Sequence, residues 1–392
     1  MGGPVPFDFA KIATQIEELT REVPRGTSDE FLPLREAFAD VDVGDLIARL
    51  TDKRTRHSWL PALPDLSFNG VYPAPPPPGD FSVLATDGSF ILPDRHSPAR
   101  FYLINIGRVH LHYGATPGAD LSSTAELRYR EQELQVDGRI PVNPAILGMR
   151  RAADELAALA QLALTVARPA IALQDGTLIL WSLSGQEPAV REWVLRDFLA
   201  ALDDLRERGV PVASYISYPG GKDVTDALRV SVCDFPGQGR AINCDDCRAE
   251  RQVPACQVIP TVPDRHVFEH IARLKPGERS DVYRSASKIL QHYGDHAIHF
   301  FYLHTGTEIA RVEIPQWVAQ HPPHLDLIHA LVYDQCLRGR GYPSVLQEAH
   351  EQAVIGADER RVVETLVEEA LARLGIVMLR SAKDTSKRGR FV

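Results

Sequence analysis

The sequence predicts an α/β protein built on a mixed sheet flanked by helices, and three observations predict it. Two short β-prone apolar runs, Phe81-Ser-Val-Leu-Ala-Thr86 and Ile171-Ala-Leu-Gln174, end in the same punctuation, Asp87-Gly88-Ser89 and Asp175-Gly176-Thr177. Residues 101–113 give a second strong strand signal after the first run, and an Ala/Leu-rich helical stretch at 146–166 precedes the second. A helix over 187–208 and a strand over 210–218 then continue the alternation.

Composition narrows the class. With 392 residues the chain is long enough for two domains or for one domain with elaborations. Its 44% hydrophobic and 24% charged residues are those of an ordinary globular protein. It has no apolar stretch long enough for a membrane span, and Met1-Gly-Gly-Pro-Val-Pro6 lacks the basic start and apolar core of a signal peptide, so a cytoplasmic location is expected. A formal charge of −9 argues against a uniformly basic surface for nucleic acid but leaves room for a local basic groove.

Each element follows in order. Residues 7–60 read as helical, with Phe9, Ile12, Ile16 and Leu19, then Phe31, Leu34 and Phe38, recurring every three or four positions. The run Tyr72-Pro-Ala-Pro-Pro-Pro-Pro-Gly79 favours an extended linker, so residues 1–78 form a helical extension with a Pro-rich linker and 79–380 the main domain. Residues 122–136 are polar and ambiguous. Residues 231–285, with their cysteines, prolines and charges, read as an insertion. Two strands, 299–303 and 309–314, make a hairpin, and two helices, 324–338 and 343–372, follow, the second with Pro343 in its first turn. The basic tail, 381–392, is expected to be mobile without a partner.

The acids carry the chemistry. A single Asp-Gly pair is an ordinary strand-ending turn, but two of them after matching runs place two carboxylates where they can share a metal ion. An acid after the first strand (Asp87), one on the helix after the meander (Glu155), one at the next strand end (Asp175) and a ligand on a late helix (His350) form the arrangement of ribonuclease-H-like nucleases. Phosphodiester hydrolysis requires an activated water and neutralised phosphate oxygens, and clustered carboxylates supply hard ligands for Mg²⁺ or Mn²⁺. Glu126, Glu131 and Glu133 compete with Glu155 but lie in a very polar, solvated stretch, whereas Glu155 sits on an apolar helix. Arg151, one turn earlier, offers Glu155 a purely structural i,i+4 partner.

On these residues the chain resembles the NurA nucleases, which work with the HerA hexameric ATPase in DNA end processing. The matching segments are Thr86-Asp-Gly-Ser89, Arg151-Ala-Ala-Asp-Glu155, Asp175-Gly-Thr177, Phe301-Tyr-Leu-His-Thr-Gly306, Arg311-Val-Glu-Ile-Pro315, Gly341-Tyr-Pro343 and Ala349-His-Glu351, spread over about residues 80–375. The resemblance implies a ribonuclease-H-like fold and a metal-dependent deoxyribonuclease, with Asp87, Glu155 and Asp175 as metal-binding acids and His350 with Tyr342 completing the site. Tyr342 and His350 are eight residues apart, an offset of about 80° if one helix carries both. It also implies Mn²⁺ (or Mg²⁺), 5′-to-3′ exonuclease and single-strand endonuclease action, DNA and a HerA-like translocase as partners, and a homodimer. A catalytically silent module that regulates an ATPase ring is the competing reading.

Three features stand beside that site. Lys222, after the strand at 210–218, resembles a basic position that follows this strand in the family, and is either a contact for a substrate phosphate or a loop lysine. Phe300, Phe301, Tyr302 and Trp317 are either core residues or stacking platforms for unpaired bases. Cys233, Cys244, Cys247 and Cys256 fall within 24 residues, a spacing compatible with structural Zn²⁺, a [4Fe–4S] cluster or unligated thiols, whereas Cys336 sits on an apolar helix as a core residue.

Overall fold

The computed structural model describes residues 8–22, 31–92, 99–235, 237 and 241–376. The basic tail lies outside the described residues. Two compact units divide the chain: residues 1–57 with 228–261, and residues 58–227 with 262–392.

The smaller unit contains α1 (Phe9–Glu22), α2 (Leu32–Ala39), α3 (Val43–Thr51) and the short helix Cys244–Glu250. Asp42 caps α3 by accepting from the Asp45 N–H at 2.9 Å. Arg56 N donates to the Ile242 carbonyl at 2.7 Å and Cys244 N to the Arg56 carbonyl at 2.9 Å, which anchors the start of the cysteine-bearing helix. Among the described residues, Leu34, Phe38, Leu46, Leu228, Val230, Ile242, Cys247 and Ile259 are its buried hydrophobic residues, a thin core for a unit of this length. The periodic stripe of α1 does not contribute to it, because Phe9, Ile12, Ile16 and Leu19 are exposed.

The larger unit is organised around one sheet. Strands β1 (Phe81–Ile91), β2 (Tyr102–Tyr113) and β3 (Gly118–Arg128) form an antiparallel meander. Helix α4 (Pro144–Leu162) then crosses over to β4 (Ala170–Asp175), which pairs parallel with β1. Helix α5 (Pro188–Glu207) leads to β5 (Val212–Ile216), parallel to β4, and the hairpin β6 (Ile298–His304) with β7 (Ile309–Pro315) continues the sheet beyond it. The strand order is β3-β2-β1-β4-β5-β7-β6, extended by the two-residue strands Tyr283–Arg284 and Leu63–Pro64.

Alternation along β1 explains why both faces are covered. Leu84 packs in the cluster with α4 and α5, whereas Val83 and Ala85 pack in the cluster with α6 (Pro322–Arg338) and α7 (Ser344–Ala353). A last helix, α8 (Ala357–Arg373), follows α7.

The sequence reading needs four corrections here. Asp87 is not at a strand tip: β1 runs on to Ile91, and Asp87 pairs with Gly107 of β2 inside the ladder. The ambiguous polar stretch begins inside β3, an exposed edge strand whose polarity reflects solvent on both faces. The single helix expected over 343–372 is two, interrupted at Val354-Ile355-Gly356, and Tyr342 precedes both, so no shared helical wheel relates it to His350. Within 231–285, the strands Arg279–Ser280 and Tyr283–Arg284 belong to the main sheet, pairing with β6.

Candidate active site

Asp87 faces the helix that carries His350. Its Oδ2 lies 2.8 Å from His350 Nδ1, and its Oδ1 accepts from the Gly88 N–H at 2.8 Å. The helix reaches this position because Gly107, the cross-strand partner of Asp87, has no side chain: a Cβ there would lie 2.5 Å from the Ala349 carbonyl oxygen. The strands then cap the helix's open end. Asn105 Nδ2 donates to the carbonyl of Ala353 at 2.9 Å, and the Ser89 hydroxyl donates to the same oxygen.

Glu155 comes from α4, which starts at Pro144 with Asn143 accepting from the Ile146 N–H at 3.0 Å. Although an acid, it is only 3% exposed. Its backbone carbonyl accepts from Thr86 Oγ1 at 2.9 Å and its Oε2 from Gln174 Nε2 at 3.2 Å, so β1 and β4 both grip it. Arg151 Nε lies 3.1 Å from Oε1, an ion pair whose angle leaves both atoms without a hydrogen bond, while Arg151 Nη1 donates to the Gly88 carbonyl at 2.7 Å. Burial raises the Glu155 carboxyl to about 8, and the negative charges of Asp87 and Asp175 add to it against the pull of Arg151 and Gln174.

Asp175 ends β4. Gly176 follows at φ +87°, a conformation that favours glycine, and its N–H donates to the Tyr215 carbonyl at 3.0 Å. The protein packed around the carboxyl raises its pKa, helped by the charge of Asp87, while the Tyr342 hydroxyl, hydrogen-bonded to it, and His350 oppose the shift. Tyr342 meets Tyr215 edge to face at 5.4 Å, and burial beside Asp175 holds its phenol firmly protonated.

Asp87, Glu155, Asp175, Tyr342 and His350 are therefore neighbours, and Arg151, Glu155, Gln174, Asp175 and Thr177 line a cleft of about 470 Å³. It opens at the carboxyl end of β4, beside the parallel strand β1. Lys222 is not in it: it lines a neighbouring cleft of about 430 Å³ with Arg311 and Glu313. Phe300, Phe301 and Tyr302 are fully buried and serve the core, as does Cys336.

Sequence reasoning missed Gly107, Gln174 and the role of Glu313. Glu313 Oε2 accepts from Thr177 Oγ1 at 2.7 Å and Leu178 N at 3.0 Å, fixing the turn after Asp175, and its Oε1 accepts from Arg311 Nε at 2.9 Å. A polar pair two apart in an otherwise apolar strand was the available signal.

Among the described residues, no three His, Cys, Asp or Glu side chains stand close enough together to hold a metal ion as they are. The donor set nevertheless suits a hard divalent cation: three carboxylates, two with raised pKa, and Glu155 Oε1 buried without a hydrogen bond. Added positive charge would relieve that mutual repulsion.

The fold and cleft define a mixed α/β protein with clustered acids at the mouth of its sheet. A family model described as NurA domain matches residues 81–355, and the chain belongs to the NurA family. That membership gives it a nuclease-related role. A comparison with curated proteins found no match. Among solved structures the chain is similar to the prototype foamy virus protease-reverse transcriptase, at 14% identity over 41% of this chain and 21% of that one, TM-score 0.23. It is also similar to LC9-RNase H1, a type 1 RNase H with the type 2 active-site motif, at 10% identity over 50% of this chain and 87% of that one, TM-score 0.21. Likeness at that level is weak. No described helix is long and apolar enough to cross a membrane.

Proposed function

We propose that this chain is a metal-dependent deoxyribonuclease of ribonuclease-H-like architecture, hydrolysing DNA phosphodiesters with Mn²⁺ or Mg²⁺ held by Asp87, Glu155, Asp175 and His350. The carrying observation is the convergence of three acids from β1, α4 and β4, with the Glu155 carboxyl raised to about 8. The strand order β3-β2-β1-β4-β5, with β1, β4 and β5 parallel, supports the architecture.

When bound, the cation neutralises phosphate charge and acidifies an attacking water. The chain's own residues orient the ligands. Gln174 and Arg151 position Glu155, Tyr342 holds Asp175 by its hydroxyl, and His350 steadies Asp87. The His350 side chain is 65% exposed, so this ligand stands at the open side of the site. Because Arg151 and His350 engage two of the acids, both side chains would have to shift for the acids to hold a cation.

The wider reading follows the family: 5′-to-3′ exonuclease and single-strand endonuclease action, a homodimer, a cytoplasmic location and docking on a HerA-like hexameric ATPase. A net charge of −9 fits a nuclease that holds DNA weakly and receives it from a translocase. Cys233, Cys244, Cys247 and Cys256 would bind structural Zn²⁺ or a [4Fe–4S] cluster. In support, burial and the neighbouring Cys233, Cys256 and Cys247 all raise the Cys244 thiol, so the four are mutual neighbours although not gathered into metal geometry.

The competing silent module, which binds an ATPase ring without cutting, draws on the same observation that Arg151 and His350 occupy the acids. Labelled single-stranded and duplex DNA incubated with Mn²⁺ or Mg²⁺ separates the two. The nuclease reading expects cleavage by the native chain and none by Asp87→Asn. Cleavage that survives Asp87→Asn removes the assignment, and absence of cleavage in the native chain favours the silent module.

A further inference from the structure

The two clefts share one residue, Trp181. It lines the acid cleft with Glu155 and Asp175, and it lines the neighbouring cleft with Lys222 and Arg311. The indole is 40% exposed, unlike the buried aromatics of the sheet.

Its platform is rigid. The segment from Thr177 to Trp181 is held at three points: Glu313 accepts from Thr177 and Leu178, the buried Tyr293 hydroxyl accepts from Leu180 N at 2.9 Å, and the same hydroxyl donates to the Leu178 carbonyl at 3.0 Å. A large exposed ring on a fixed loop binds with little loss of conformational freedom.

Charge decides how the second cleft is occupied. Its floor pairs the buried Arg311 with two carboxylates, through Nη1 to Asp223 at 3.0 Å and Nε to Glu313 at 2.9 Å. With Asp226 also lining the cleft, one guanidinium stands against three acids, which repel a phosphate from the floor. Lys222 is exposed at the rim beside Gly220 and Gly221. The Arg311 guanidinium also lies over the buried Phe300 ring at 3.6 Å, which fixes the floor in place. A polar floor, an aromatic wall and a cationic rim fit a nucleotide with its base inward and its phosphate outward.

We infer that the second cleft is a subsite for the unpaired nucleotide adjoining the scissile phosphodiester, with its base stacked on Trp181 and its phosphate at Lys222. The inference rests on the nuclease reading for the position of the scissile bond, and the stacking itself can be measured without cleavage.

The test uses a short single-stranded oligonucleotide carrying 2-aminopurine, titrated with the full-length chain in Ca²⁺, followed by steady-state cleavage in Mn²⁺. Stacking quenches 2-aminopurine. Trp181→Ala is expected to lose the quench and to raise KM by about tenfold, Trp181→Phe to recover part of both, and Lys222→Gln to raise KM and flatten its salt dependence. Cleavage by the native chain, with quench and KM unmoved in Trp181→Ala, overturns the subsite and leaves the nuclease reading standing. Quench that depends on Trp181 without cleavage in any divalent cation upholds nucleotide binding here and removes the nuclease reading. Loss of both in the native chain overturns both.

Discussion

Gly88 stands so close to the buried carboxylate that a Cβ on it would lie 2.7 Å from Glu155 Oε1 and 2.9 Å from Arg151 Cγ. This glycine follows the acid Asp87 in a continuous strand, so its service is to close approach and not to a turn. Gly88→Ala is expected to cost roughly 1–3 kcal/mol by overpacking and to push Glu155 away from Asp87. Denaturant unfolding checks the first effect, and loss of metal-dependent cleavage beyond that of a distant variant of equal stability checks the second.

Gly107 makes the matching argument on the other face. There the obstacle to a Cβ is backbone, the Ala349 carbonyl at 2.5 Å and the Ala353 nitrogen at 2.7 Å, which cannot rotate aside. Gly107→Ala is expected to destabilise at the upper end of the overpacking range, about 3 kcal/mol, and to separate His350 from Asp87. A native-like unfolding midpoint in this variant would show that the helix does not depend on the close approach.

His329 provides a pH test away from the cleft. It is 1% exposed, its Nε2 lies 2.9 Å from the Gly277 carbonyl, and burial, helped by the Arg279 charge, lowers it to about 4. An unfolded histidine titrates near 6.5, so between these values the unfolded chain binds more protons and stability rises with pH. That contribution is complete above about 6.5 and is lost as pH falls toward about 4, on the order of 3 kcal/mol. Unfolding free energies of native chain and His329→Gln, measured from pH 7 to pH 4, should converge on acidification by that amount. Parallel curves would count against it.

For the cysteines, elemental analysis and a visible spectrum of freshly purified protein are expected to give zinc or an iron–sulfur absorbance. Cys247→Ser should release the metal and loosen the smaller unit, whose apolar core is thin, which limited proteolysis would report. Protein free of both metals that keeps its native protease resistance would leave four unligated thiols.

The sequence by itself determined the order of the main strands and helices and singled out the acids that the fold brings near one another. A continuous apolar run through Val83, Leu84 and Ala85 can bury both faces only in a covered strand, and an acid on the apolar surface of α4 needs an inward partner. These are local consequences of side-chain chemistry, so they are visible in one dimension. Tertiary structure decided what each glycine is for, that Lys222 belongs to a second cleft, and that Tyr342 reaches Asp175 from a segment ahead of α7. Those depend on which backbones touch across the sheet. Gly107 and Ala349 are 242 positions apart in sequence, and only the stacking of α7 on β2 makes the missing side chain of one the seat of the other. The acid pair Asp87 and Glu155 shows the same division, since residue type supplies the charge and packing against Gly88 brings the two together.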